Sequence, residues 1–208
     1  MTHAETTLTD WLAAIAAPTP SPAGGSAAAI AGALGAALVE MVAGLTGGRE
    51  KYAAAHAEAA RAAERAAGLR VRLHALAARD AETFAGFTAA LAMPRSTPDE
   101  QAVRLVARNA ALREGAAVQL ELLDGLSETA ELAAAMTDRG LAGAMGDAAT
   151  AALLAAAAAR SAYWAVRSNL EGAGDRAAAG QLARAGDLLG RVEEAERRVL
   201  ALLRERVR

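Results

Sequence analysis

Few residues of this chain are equipped for chemistry, and the most suggestive of them close a rigid turn. Pro18-Thr-Pro-Ser-Pro-Ala-Gly-Gly-Ser26 runs straight into a long apolar stretch beginning near Ala27. The prolines fix the approach of the chain, Gly24 and Gly25 let the backbone come close to a neighbour, and Ser26 is placed to cap free amides of a first helical turn. The unpaired N–H groups and the positive end of the helix dipole favour an anionic or electron-rich ligand group there. The same residue types also build ordinary structural turns. Two carboxylates accompany them. Asp80 lies four residues before Phe84 in a helical stretch, and Asp147 follows Gly146 at the start of another. Taken alone, the first is a solvated helix acid and the second a complement to a helix dipole, typically ~0.3–1 kcal/mol.

Other chemistries find little footing. His3, His56 and His74 share no face with a carboxylate at metal-ligand spacing, no phosphate-binding loop is present, and no metal is expected. The absence of cysteine removes disulfides, thiolate nucleophiles and cysteine-held zinc. Ser26 lacks both the strand-to-helix elbow and a neighbouring base that a nucleophile needs, so capping or ligand contact is the better reading.

The elements that position these residues are helices. Apolar positions recur at three and four, and nothing alternates as a half-buried strand does. A short helix over about Thr9 to Ala16 precedes the proline turn. A second covers about Gly25 to Leu45 and stops at Gly47-Gly48. A third runs from about Arg49 toward Leu91, with Gly68 and Gly86 as places for a bend, and breaks at Met93-Pro94. Thr97-Pro-Asp-Glu100 combines an N-cap threonine, a proline at the first helical position and a capping-box glutamate, and opens a helix to about Asp138. The connector Gly140-Leu-Ala-Gly-Ala-Met-Gly146 delivers Asp147 to a helix ending near Leu170. After Glu171-Gly-Ala-Gly174, a last helix carries a seam through Leu182, Ala185, Leu189, Val192, Val199 and Leu203. These elements predict one all-α domain over residues 1–208, a bundle of long antiparallel helices.

Composition agrees. With 54% hydrophobic but only 3% aromatic residues, the core must be made of Ala, Leu and Val, with Ala28, Gly32, Gly35 and Ala36 letting another helix approach the second one closely. A net charge of −2 offers no footprint for nucleic acid, and the C-terminal basic residues alternate with Glu193, Glu194, Glu196 and Glu205. The apolar runs Ala27 to Val39 and Ala148 to Ala159 are stopped by Glu40 and Arg160, short of the roughly 20 residues of a membrane span. Met1 to Thr6 lacks the basic and apolar regions of a secretory signal, so a cytoplasmic protein is expected.

The order of motifs resembles the formiminotransferase-cyclodeaminase C-terminal family, which includes bacterial methenyltetrahydrofolate cyclohydrolases. The resemblance starts with Pro20-Ser-Pro-Ala-Gly-Gly-Ser26 and its Ala/Gly/Leu helix. It continues through Met41-Val-Ala-Gly-Leu-Thr46, Arg49-Glu-Lys-Tyr52, Asp80-Ala-Glu-Thr-Phe84, Met93-Pro-Arg-Ser-Thr-Pro-Asp-Glu100 with Arg104, Gly146-Asp147 and Ala162-Tyr-Trp-Ala-Val-Arg-Ser-Asn-Leu170. It implies a helical fold, a homodimer to which the seam of the last helix contributes, and a one-carbon folate enzyme. The expected reaction is cyclodeamination of 5-formiminotetrahydrofolate, hydrolysis of 5,10-methenyltetrahydrofolate, or both, by carboxylate acid/base catalysis. The reduced folate is the substrate and no separate cofactor is implied.

The resemblance makes Asp80, Asp147 and Lys51 the catalytic candidates. Gly24, Gly25, Ser26, Arg95 and Asn169 become candidates for substrate binding, with the cations set to hold folate carboxylates and Asn169 to bond the pterin ring. The chain also departs from the family pattern. Ala23 replaces a glycine, Leu141 stands where Gly-Asn is expected, Gly146 replaces a serine, Ala165 replaces an asparagine, and Arg95 takes a lysine position. These departures motivate an alternative, a non-catalytic folate-binding or scaffold protein that keeps the fold.

Overall fold

The computed structural model describes residues 7–171 and 176–206. Among them are six α-helices and no strand: α1 (Leu8–Ala16), α2 (Gly24–Gly47), α3 (His56–Ala92), α4 (Pro98–Arg139), α5 (Met145–Leu170) and α6 (Arg176–Arg206). The linker at Gly172 to Gly174 and His3 lie outside the described residues.

Local chemistry sets the helix ends. Thr7 caps α1 through a reciprocal pair with Asp10, and these hydrogen bonds hold the Asp10 carboxyl below its ordinary value. Thr97 and Glu100 form the capping box expected for α4. Ser26 is not a cap. The N-cap of α2 is Ala23 in extended backbone (φ −137°), with no side-chain hydrogen bond, and Ser26 lies inside the first turn. A negative φ is why alanine fits where the family pattern has glycine. The third helix also differs from expectation. α3 passes unbroken through Gly68 and Gly86, and the irregular backbone lies upstream, in the 3-10 turn Glu50–Ala55 with Tyr52 non-helical.

Small residues decide how the helices meet. A Cβ added at Gly32 would lie 2.5 Å from Leu126 Cδ2, and one at Gly35 would lie 3.1 Å from the backbone oxygen of Ala151. α2 therefore lies close against both α4 and α5, with Ala36, Val39 and Val42 fully buried beside these contacts. α3 pairs with α2 and α4, and α6 covers α4 and α5. The seam of α6 is used up in this packing. Ala185, Val192 and Val199 are buried, and Leu182, Leu189 and Leu203 pack at the edge of the same core, so the seam is no free docking face for a second copy.

α2 and the segment Ala142–Leu170 are long and apolar enough to cross a bilayer, so Glu40 and Arg160 do not shorten them as expected. About half of each is buried inside the bundle, which is the behaviour of core helices.

Candidate functional site

Where the first turn of α2 meets the middle of α3 and α4 and the last turns of α5, a pocket of about 360 Å³ opens. Its wall includes Gly25, Asp80, Thr83, Phe84, Phe87, Gly115, Gln119, Ser168 and Asn169. Asp80 is the chemical centre. Gln119 Nε2 donates to its Oδ1 at 2.6 Å, and Ser26 Oγ lies 2.9 Å from its Oδ2. Ser26 is fully buried and also lies 2.9 Å from the carbonyl oxygen of Ala77, one turn before Asp80 on α3. Its hydroxyl proton therefore has two acceptors within reach, a carbonyl and a carboxylate.

Gly25 makes this arrangement possible. A Cβ there would sit 2.3 Å from both Asp80 Oδ1 and Gln119 Nε2. The anionic group expected near the α2 N-terminus is thus matched by the protein's own carboxylate, brought across from α3. At Gly24, one residue earlier, an added Cβ meets nothing within 4 Å. This contrast sets an expected result. Gly25→Ala should drive Asp80 and Gln119 apart and lower kcat by about 10-fold or more, while Gly24→Ala keeps wild-type rates; steady-state kinetics of the two purified variants checks it.

Asn169 reaches the pocket from the end of α5, with its Nδ2 3.0 Å from where a Cβ on Gly115 would be. Ala165 lines the same wall, so the asparagine missing from the family pattern is missing at the pocket itself. Phe84 and Phe87, with ring centroids 6.2 Å apart, supply aromatic faces. The wall is largely apolar, with a carboxylate, amides and hydroxyls on one side and no cation among its residues.

Four sequence-predicted residues come together here: Gly25, Ser26, Asp80 and Asn169. The others do not. Gly24 is exposed outside the wall, and Arg95 is exposed on the α3–α4 turn, its carbonyl accepting from Gln101 Nε2. Asp147 is exposed in the first turn of α5. Asp147 and Asn169 stand 22 residues apart on that one helix, about 33 Å at 1.5 Å per residue. Lys51 shares the Asp147 end of the bundle. Its neighbour Tyr52 accepts from the Ala142 N–H at 3.0 Å, and Thr46 Oγ1 accepts from that of Leu141 at 2.9 Å.

The pocket residue not anticipated from sequence is Gln119. Its signal is a polar side chain on an otherwise apolar helix face, with Leu112, Gly115, Leu122 and Leu126 at helical spacing.

Comparison with known proteins places these features in context. The model of the formiminotransferase-cyclodeaminase family matches residues 7–187. The chain is 37% identical to a methenyltetrahydrofolate cyclohydrolase of Methylorubrum extorquens, over 90% of this chain and 94% of that protein. It is 33% identical to the mouse formimidoyltransferase-cyclodeaminase over 60% of this chain and 23% of that longer protein. The crystal structure of formiminotetrahydrofolate cyclodeaminase from Thermotoga maritima superposes with a TM-score of 0.87 at 25% identity, covering 99% of both chains.

Proposed function

This chain belongs to the formiminotransferase-cyclodeaminase family, and from that premise we propose that its Asp80 pocket binds a reduced folate and catalyses acid/base chemistry at the one-carbon unit between nitrogens 5 and 10. The observation that carries the reading is the carboxylate itself, held at both oxygens against a wall otherwise uncharged and partly aromatic. Phe84 and Phe87 suit a flat pterin or aryl ring, and Asn169 offers both a donor and an acceptor for its polar edge. Hydrolysis of 5,10-methenyltetrahydrofolate is placed first, because the cyclohydrolase relative is matched along nearly its whole length.

In this reading the proton moves as follows. Water adds to the methenyl carbon of the cationic ring and gives one proton to Asp80. The bond from that carbon to nitrogen 5 then breaks, nitrogen 5 takes the proton back from Asp80, and the hydroxyl proton leaves for solvent as the formyl C=O forms. One proton is released per turnover. Cyclodeamination uses the same group, with nitrogen 10 attacking the formimino carbon and ammonia leaving.

A homodimer belongs to this reading, and its support lies on α2. Ile30, Leu34, Ala37, Leu38, Met41 and Leu45 form one stripe, with Leu34, Met41 and Leu45 at 49%, 41% and 42% exposure. The stripe is its own reverse about a point between Ala37 and Leu38: Ile30 matches Leu45, Leu34 matches Met41, and Ala37 matches Leu38. A two-fold axis through that point pairs α2 with an antiparallel copy of itself, as an isologous interface requires. It also carries Lys51 of the second copy to the level of Gly24, beside a pocket that holds a carboxylate and no cation. The far-end candidates Lys51 and Asp147 then serve the pocket of the other protomer.

The fall of methenyltetrahydrofolate absorbance on mixing with protein, against a blank in a buffer of slow spontaneous hydrolysis, tests the activity. Acceleration supports the cyclohydrolase reading. Its absence, with folded protein that also leaves 5-formiminotetrahydrofolate unchanged, would replace it with the non-catalytic alternative.

A further inference from the structure

We infer that Gln119 is a positioning residue for Asp80, kept at the expense of a buried carbonyl oxygen with no partner. The inference rests on the reading of Asp80 as the proton-transferring group. Gln119 is 2% exposed on α4, and its Nε2 donates to Asp80 Oδ1 at 2.6 Å. Its Oε1 is buried and makes no hydrogen bond among the described residues. Turning the carboxamide over does not cure this, because it would set Oε1 against the carboxylate, acceptor to acceptor. Among the described residues neither orientation gives Oε1 a donor, a state that folded proteins ordinarily avoid.

An apolar residue of similar size would fill the same space without that defect. What leucine would not do is hold Asp80. The carboxylate is met from two elements, by Ser26 Oγ of α2 near Oδ2, its one proton shared with the Ala77 carbonyl, and by Gln119 of α4, which donates to Oδ1 and is the firmer hold. Gly25 adds to the case, since a side chain there would fall within 2.3 Å of Gln119 Nε2. Three positions from two helices are thus shaped around the pairing. The groups lining the pocket around Asp80 are Ser21 and Gly25 before and within α2, Thr83 on its own helix, Gln119 of α4, and Ser168 and Asn169 of α5, none of them charged. Gln119 is therefore a principal donor orienting the carboxylate.

The test compares Gln119→Leu and Gln119→Glu with the unaltered protein in the cyclohydrolase assay, alongside Asp80→Asn. For Gln119→Leu the expected result is a kcat lower by about 10-fold with KM within about 2-fold, because the amide's hydrogen bond goes to Asp80. Gln119→Glu, nearly the same shape, puts an acceptor where Nε2 donates and lowers kcat as well with KM within about 2-fold, so the inference stays testable if the leucine variant folds poorly. A merely structural glutamine would instead lower the melting temperature and leave kcat within about 2-fold of the unaltered protein in both variants. That outcome, with Asp80→Asn inactive, overturns the Gln119 inference alone. Full activity of Asp80→Asn overturns the reading of Asp80, and the inference falls with it.

Discussion

Asp80→Asn is expected to lower kcat for methenyltetrahydrofolate hydrolysis by about 100-fold or more, the lower end of what removal of a general acid/base costs. The fold should not register the change. Asparagine has the shape of aspartate, its carbonyl oxygen can accept from Gln119 Nε2, and its amide can donate to Ser26 Oγ while the serine donates to Ala77. Every hydrogen bond at the site then persists, and only the capacity to take and return a proton is lost. Matched thermal unfolding curves with separated rates would isolate that capacity. A variant that keeps its rate would mean that Asp80 only binds or supports, and that protons travel by another path.

The second large effect is a recovery of activity. If the far end of one protomer completes the pocket of the other, Asp80→Asn and Lys51→Ala proteins should each be nearly inactive, and a mixture allowed to exchange subunits should not be. In a mixed dimer one pocket carries both substitutions and the other carries neither. Statistical exchange of equal amounts makes about half of the dimers mixed, each with one intact site, so about a quarter of the wild-type activity is expected. The self-reversed stripe on α2 and the position of Lys51 beyond its C-terminal end are the basis for this result. Activity that stays absent after exchange, or a species of only 21.0 kDa by light scattering, would confine the site to one chain and leave Lys51 and Asp147 as surface charges.

Much of the fold is legible in the sequence because its determinants are local. The break at Met93-Pro94, the Thr97–Glu100 capping box and the stop at Gly47-Gly48 each act within a few residues, and the helices begin and end close to them. The close contacts of α2 are legible for a related reason, since Gly32 and Gly35 advertise a surface without side chains. The bend expected at Gly68 or Gly86 is absent because a lone glycine weakens a helix without breaking it, and α2 and α4 support α3 from either side.

The site divides along the same line. The sequence by itself determined the helical class, the family motifs and the candidacy of Gly25 and Ser26, which rest on residue type and short-range spacing, and that of Asp80, which rests on the family resemblance. It also held the separation of Asp147 from Asn169, because both lie on one helix and the rise per residue sets their distance. Only the tertiary structure decided what these groups touch. Gln119 pairs with a carboxylate 39 residues away, Ser26 turns from a cap into a partner of Asp80, and the α6 seam closes on its own core instead of a second chain. Periodicity states that a helix has an apolar face, but many neighbours can cover such a face equally well. A hydrogen bond between distant helices depends on their relative rotation and height, which the packing of the whole bundle sets.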